Sequence, residues 1–271
     1  MNERYIDIDG ISIHCVSKGR GPELLLFHGL GEFLKTWRAN IDSLSQYYTV
    51  YALDLPGHGL SQKPEVSYTL GFGTRFALGF MEALEIKHAG LIGHSVCGSL
   101  CLNLAIKFPE KVDSIILVGS TGLSKKEAFL LYRLAMPLGK LAIEPTKADV
   151  LAGVKQAFYN PEIVGEELMN KAYQYLMMSK TKDALLNILR SNVGTNGIKP
   201  EVILADRLHL VKSPTLIIHG MQDRLIPIEY ARDACNLIPE AGLKVFDGCG
   251  HCLHIEKAEE FNQAVIAFPK G

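Results

Sequence analysis

The chain has 271 residues, 48% of them hydrophobic, enough for one large α/β domain with a sizeable core. Its 28 basic and 29 acidic residues nearly cancel and form no basic block, which removes the electrostatic case for nucleic acid or an anionic membrane surface as a partner. The start, MNERYIDIDGISIH, lacks the charged and apolar regions of a secretory signal, and no apolar run reaches the length of a membrane span, so a cytoplasmic protein is expected.

Residues 4–9 and 11–16 alternate apolar and polar around an Asp-Gly pair, which predicts an N-terminal hairpin. ELLLFHG is a nearly continuous apolar run ending at Gly29, as expected of a strand buried on both faces. YTVYALDLPGHG repeats the pattern and ends in a Gly/Pro loop, and HAGLIGHS, VDSIILVGS, SPTLIIHG and LKVFDGCG supply four further strands. Helical patterns fall between them at about 37–47, 71–86, 96–108, 228–238 and 256–268. This alternation predicts an α/β fold, a mostly parallel sheet with helices on both faces.

The alternation breaks between about residues 121 and 208. Four helical segments are read there and no convincing strand: SKKEAFLLYRLAM, TKADVLAGVKQAFY, PEIVGEELMNKAYQYLMM and KDALLNILRS. The expected organisation is a core of residues 1–120 and 209–271, with a helical cap, 121–208, inserted between two of its strands. Met136, Met169, Met177 and Met178 lie in the insertion. Packing against the sheet accounts for them more simply than a substrate pocket lined by adaptable side chains.

Cys15, Cys97, Cys101, Cys235, Cys249 and Cys252 are scattered among strands and helices, which fits free thiols better than a disulfide framework. Cys249 and Cys252 form a C-x-x-C, but no second pair completes a tetrahedral zinc site. LGFGTRF lacks the third glycine of a dinucleotide-binding turn, and DLPGHGLS lacks the lysine of a phosphate-binding loop.

Ligands of open α/β sheets bind beyond the carboxyl ends of the strands, so the residues delivered there are the candidates. LIGHSVCGSL reads as a strand, a sharp turn with Ser95 at its apex, and a helix. A serine hydroxyl is a weak nucleophile at neutral pH and needs a base within hydrogen-bond reach. His251 in DGCGHCLHIE is the candidate base, with His254 as its rival. An imidazole base needs a buried carboxylate to fix its tautomer, and Asp223 in HGMQDRLIP fits. The strand before the insertion ends in VGSTG and offers no carboxylate instead. Preorganised N–H donors stabilise the charge on an attacked carbonyl by roughly 3 kcal/mol each. The backbone N–H groups of Val96 and of Leu30, in HGLG, are the candidate oxyanion donors. Asp54 and Asp247 read as loop and turn residues, His28 and His94 as structural neighbours of the site, and Trp37 as packing.

The turn departs from G-x-S-x-G, because Cys97 stands at the second glycine and Gly98 follows one position late. Overpacking by two heavy atoms costs about 1–3 kcal/mol and removes neither Ser95 nor the Val96 N–H. A working nucleophile in an unusual elbow is expected. Cys97 itself lacks the apex position and would point into the fold, which makes it a poor nucleophile.

HGLG, DLPGHGLS, GHSVCG, the helical insertion, GMQDRLIP and GHCLHIEKAEEF occur in the order Ser, Asp, His over nearly the whole chain. In this the chain resembles the α/β-hydrolase fold family, specifically its capped bacterial-type members. The resemblance implies the α/β-hydrolase fold, a triad of Ser95, His251 and Asp223, no metal or organic cofactor, and a small apolar ester or related acyl compound as substrate. In that family the catalytic histidine directly follows a loop glycine, here Gly250, which favours His251 over His254. Haloalkane dehalogenases and epoxide hydrolases of this fold carry an aspartate at the elbow, so Ser95 points away from both. The family's carbon–carbon bond hydrolases of aromatic ring-cleavage products carry a tryptophan after the catalytic histidine and an arginine in the cap. This chain has Cys252 and, in the early cap, Lys171, so ester hydrolysis is the expected activity and carbon–carbon cleavage the runner-up. A small-molecule receptor of the same fold is the alternative from another class, since several carry GHSV followed by a small residue.

Overall fold

The Asp9–Gly10 turn sets the first piece of the architecture. In the computed structural model, which describes residues 1–126, 146–194 and 197–268, both residues have positive φ (52° and 79°), as in the tight turns whose twist matches that of the flanking strands. The turn joins β1 (Asn2–Ile8) to β2 (Ile11–Lys18). The apolar runs become β3 (Glu23–Phe27), β4 (Thr49–Leu53), β5 (Ala89–His94) and β6 (Val112–Val118). After a short pair, β7 (Val193–Gly194) and β8 (Gly197–Ile198), come β9 (Thr215–Gly220) and β10 (Gly242–Phe246).

The main sheet runs β1-β2-β4-β3-β5-β6-β9-β10. Its first two pairings are antiparallel and the rest are parallel. Alternation along β3 shows how it is buried. Leu24 and Leu26 face one core with Trp37, Leu44 and Phe261, whereas Leu25 and Phe27 face the other with Phe76, Phe80 and Leu100.

The described helices are α1 (Arg38–Leu44), α2 (Leu70–Ala83), α3 (Cys97–Lys107), α4 (Lys147–Ala157), α5 (Glu166–Leu176), α6 (Thr181–Asn192), α7 (Ile228–Leu237), α8 (Leu253–Glu256) and α9 (Ala258–Ala267). Apolar residues of α1 and α9 cover the first core, and those of α2, α3 and α7 the second. Thr69 caps α2 by accepting from Phe72 N at 3.1 Å, and Thr146 with Asp149 forms a capping box on α4. None of the described helices is long and apolar enough to cross a membrane.

Helices α4 to α6 lie between β6 and β9 and add nothing to the main sheet. Most of SKKEAFLLYRLAM, with Met136, lies outside the described residues. Four details differ from expectation. The helix expected to reach residue 86 stops at Ala83, and Glu85 turns left-handed with φ 56°. The pattern at 256–268 is two helices broken at Lys257. Strands β7 and β8, two residues each, are too short to show an alternation in sequence. Met177 and Met178 are 47% and 36% exposed, so neither fills the packing beneath the insertion.

Candidate active site

Strand β5 delivers the nucleophile candidate. Ser95 follows its last residue with φ 55°, a left-handed conformation that costs a non-glycine residue about 1–2 kcal/mol. The neighbouring backbone over-determines it. Ser95 N donates to Val118 O at 2.9 Å, and its carbonyl accepts from Gly98 N and Thr121 N, both at 3.0 Å. The sharp reversal leaves the serine half-buried at the carboxyl end of the sheet.

The departure at Cys97 resolves in the packing. A Cβ on Gly93 would strike the Cys97 carbonyl, and one on Gly98 would strike the Ser120 side chain at the end of β6. The close contact of α3 with the neighbouring strand therefore falls at Gly98 and leaves position 97 free to carry a side chain. Cys97, 5% exposed, joins the core cluster with Leu100 and Cys101.

Asp223 lies three residues beyond β9 and its side chain is fully buried. Its Oδ1 accepts from Leu225 N (2.8 Å) and Ile226 N (2.9 Å), and its Oδ2 accepts from His251 Nδ1 at 2.8 Å. Burial pushes the Asp223 carboxyl up, but His251 beside it, His219 and the Ile226 amide together hold it below the usual carboxylate range. Burial pushes His251 down, yet the charge and hydrogen bond of Asp223, with Glu32 further off, raise it above the ordinary 6.5. With Nδ1 committed to Asp223, Nε2 is the nitrogen that can take a proton.

The His251 ring lies against the elbow, its centroid 4.8 Å from that of His94. Ser95 Oγ and His251 Nε2 form no hydrogen bond among the described residues; such bonds often tighten only when substrate is in place. The rival His254 is fully buried between Trp37 (4.3 Å) and His94 (4.6 Å), with no partner on either ring nitrogen. Burial, reinforced by His94, holds it well below the ordinary histidine value, so it packs as a neutral ring.

The loop after β3 passes beside Ser95: a Cβ built on Gly29 would lie 3.1 Å from Ser95 Cβ. Among the described residues the N–H groups of Leu30 and Val96 make no hydrogen bond, and both residues are half-buried. Val96 stands immediately before α3, whose N-terminal dipole favours negative charge there. Two uncommitted amides flanking Ser95 suit a developing oxyanion.

The remaining polar residues have structural partners. Asp54 accepts from His14 Nδ1 (2.7 Å), Leu34 N (2.6 Å) and Leu60 N (2.9 Å), pinning its loop. Asp247 accepts from Gln222 Nε2 at 2.7 Å. His28 Nδ1 donates to Gly29 O (2.8 Å), and its Nε2 accepts from Leu55 N (3.0 Å). LGFGTRF lies inside α2. All six cysteines are free. The two of C-x-x-C face different carboxylates, Cys249 Sγ towards Glu256 (3.9 Å) and Cys252 Sγ towards Glu32 (3.7 Å).

Among the described residues, Glu32, His94 and His254 bring possible metal-ligand atoms within 4.8 Å of one another. Glu32 Oε2 and His94 Nδ1 are already engaged with each other at 3.0 Å, and His94 Nε2 faces the His251 carbonyl at 3.1 Å. Sequence reasoning passed over Glu32, and also Glu256, which accepts from Gly250 N (2.7 Å) in the histidine loop and from Asn160 N (2.8 Å) in the insertion. The insertion touches the histidine directly as well: Ala157 O accepts from His251 N at 2.7 Å.

A strained serine at a strand–helix elbow, a buried Asp–His pair and the sheet order describe one class of protein. The model of the alpha/beta hydrolase fold matches residues 22–258, and the chain belongs to that family of hydrolases. It is 31% identical, over 96% of its length, to a dihydrolipoyllysine-residue acetyltransferase component of an acetoin cleaving system from Cupriavidus necator, and covers 67% of that protein. It is 26% identical, over 98% of its length, to a 2-hydroxy-6-oxo-6-(2'-aminophenyl)hexa-2,4-dienoic acid hydrolase from Metapseudomonas resinovorans, of which it covers 90%. The solved structure of a meta-cleavage product hydrolase from Pseudomonas fluorescens IP01 is similar with a TM-score of 0.84 at 26% identity, over 97% of this chain and 96% of that one.

Proposed function

We propose that the protein is a serine hydrolase that cleaves a carboxylic ester or related acyl compound through an acyl-enzyme. The observation that carries it is the Asp223–His251 hydrogen bond of 2.8 Å beside a serine held at φ 55°. Ser95 Oγ attacks the carbonyl carbon while His251 Nε2 takes its proton, and Asp223 steadies the imidazolium. The N–H groups of Leu30 and Val96 stabilise the oxyanion. His251 then gives the proton to the departing alcohol, and water attacks the acyl-enzyme by the same route in reverse. Each step uses side chains and amides of this chain and calls on no cofactor.

A second reading is hydrolysis of a carbon–carbon bond in a ring-cleavage dienoate. It is favoured by relatives of that activity that match nearly the whole chain at 26–30% identity. Against it stands Cys252 after His251, where the resemblance leads one to expect tryptophan.

Turnover of p-nitrophenyl esters from acetate to decanoate, and of a 2-hydroxy-6-oxo-dienoate, by wild type and Ser95→Ala separates these readings. Sustained ester hydrolysis abolished in Ser95→Ala supports the first. Turnover of the dienoate alone supports the second, and activity surviving in Ser95→Ala excludes both.

A further inference from the structure

Glu32 is the least expected residue of the site. It sits in the loop that carries one oxyanion donor, and its side chain is only 17% exposed. Its Oε2 accepts from Gly29 N at 2.9 Å and lies 3.0 Å from His94 Nδ1, while its own N–H donates to Gly29 O at 3.2 Å. The carboxylate thus closes the four-residue turn around Leu30 and ties it to the residue before Ser95. His94, fully buried, reaches on to the carbonyl of His251, 3.1 Å from its Nε2.

Hydrogen-bond stoichiometry fixes the chemistry of this pair. A carbonyl oxygen only accepts, so His94 Nε2 must carry a proton to bond His251 O. Glu32 Oε2 accepts from Gly29 N and faces His94 Nδ1 through the same oxygen, so one carboxylate joins the two loops. His94 thus bridges the Glu32 carboxylate and the His251 carbonyl. Burial pushes the Glu32 carboxyl up, but the charge and hydrogen bond of His94 hold it well below the usual range.

We propose that Glu32 and His94 are positioning residues, a buried carboxylate–histidine pair that fixes the oxyanion loop and the catalytic histidine to the nucleophile elbow as one unit. The pair rests on the Ser95 reading of the reaction and adds to it. It touches no substrate. It sets where Leu30 N–H stands relative to Ser95, and it holds the His251 backbone at its carbonyl, as Ala157 holds it at its N–H. The parallel pairing of β3 with β5, Phe27 against Gly93, brings the two loop starts side by side and makes the link possible. Glu32 and His94 are spent on this link, and the unpartnered His254 caps it by ring contact at 4.6 Å.

Among the described residues, the titratable groups around His251 are Asp223 and His219 from the end of β9, Glu32 from the loop, His94 from the elbow, the adjacent thiol of Cys252, and His254 and Glu256 from α8. Of these, Asp223 and Glu32 are the carboxylates that raise His251. Removing the Glu32 charge therefore lowers the pH midpoint of the acid limb, which a merely structural loop residue would not do.

The test compares wild type, Ser95→Ala, Glu32→Gln, His94→Asn and the double variant in kcat and KM across pH, with melting temperature as a check on folding. Glu32→Gln is expected to lower kcat roughly 10- to 100-fold with KM within about 3-fold, as for misplaced catalytic geometry, and to shift the acid limb down. The double variant should be no worse than the poorer single variant, because the two residues act as one unit. A low-field imidazole N–H proton resonance assigned to His94, distinct from that of His251 Nδ1–H on Asp223, should be present in wild type and Ser95→Ala and absent in Glu32→Gln. An unmoved acid limb with kcat within 3-fold, strictly multiplicative losses, or stoichiometric zinc in the purified protein overturns the proposal. If a single variant unfolds, the resonance in Ser95→Ala still decides, since its absence there is enough to refute the pair. Activity surviving in Ser95→Ala would sink the underlying reaction instead, which keeps the two failures apart.

Discussion

Replacing Asp223 by asparagine is the most informative single change at the base. Asp223 Oδ1 accepts from two backbone amides, Leu225 N and Ile226 N, which can only donate. An asparagine must keep its carbonyl oxygen there, so its NH2 group takes the place of Oδ2 and faces His251 Nδ1. Two donors cannot bond, so Nδ1 gives up its proton and the ring moves to the tautomer with hydrogen on Nε2. The nitrogen that should accept the Ser95 proton is then blocked. Loss of the correct tautomer in a serine triad costs about 10⁴-fold, or about 5.5 kcal/mol in the barrier. The assay is kcat/KM for a p-nitrophenyl ester at neutral pH, with thermal melting as control. The fold should hold, with a melting temperature within about 5 °C of wild type, because shape and the two amide bonds are retained. A loss smaller than about 10-fold in a folded Asp223→Asn would refute the tautomer argument.

Three further outcomes follow from the same geometry. In the proposed mechanism the neutral form of His251 is the base, and its raised value places the acid limb of kcat/KM above pH 6.5, with activity lost as pH falls; a midpoint below 6.5 would contradict the Asp223 coupling. Cys97→Gly should change kcat/KM by less than about 3-fold while costing about 1–2 kcal/mol of stability through the lost buried side chain, and a large gain in activity would show that the cysteine had disabled the elbow. Gly98→Ala should destabilise by about 1–3 kcal/mol and depress kcat, since its Cβ meets Ser120; an unchanged melting temperature would move the close contact elsewhere.

How much was legible in the sequence depended on what kind of signal each residue leaves. Ser95, Asp223 and His251 each sit at a short offset from a strand that announces itself as an apolar run, and the parallel order of β5, β6, β9 and β10 then gathers the three offsets on one edge. Glu32 left no such mark. A glutamate in a polar loop reads as a solvated residue, and its partner His94 is 62 positions away, brought near only by the pairing of β3 with β5. Glu256 is hidden in the same way, because one of its partners, Asn160, belongs to the helical insertion. The role of Gly98 was half legible: the late glycine was visible, but its need depends on the Ser120 side chain of a different strand. Helix ends were the least legible. Glu85 turns left-handed without the glycine that usually marks such a stop.

The central claim is that Ser95 is the nucleophile and His251 its base, and covalent labelling reads it most directly. The folded protein is incubated with a fluorophosphonate and mapped by peptide mass spectrometry. One adduct on Ser95, lost in His251→Ala under the same incubation, is the expected result. An adduct on Cys97, or none on a folded wild-type protein, would contradict it.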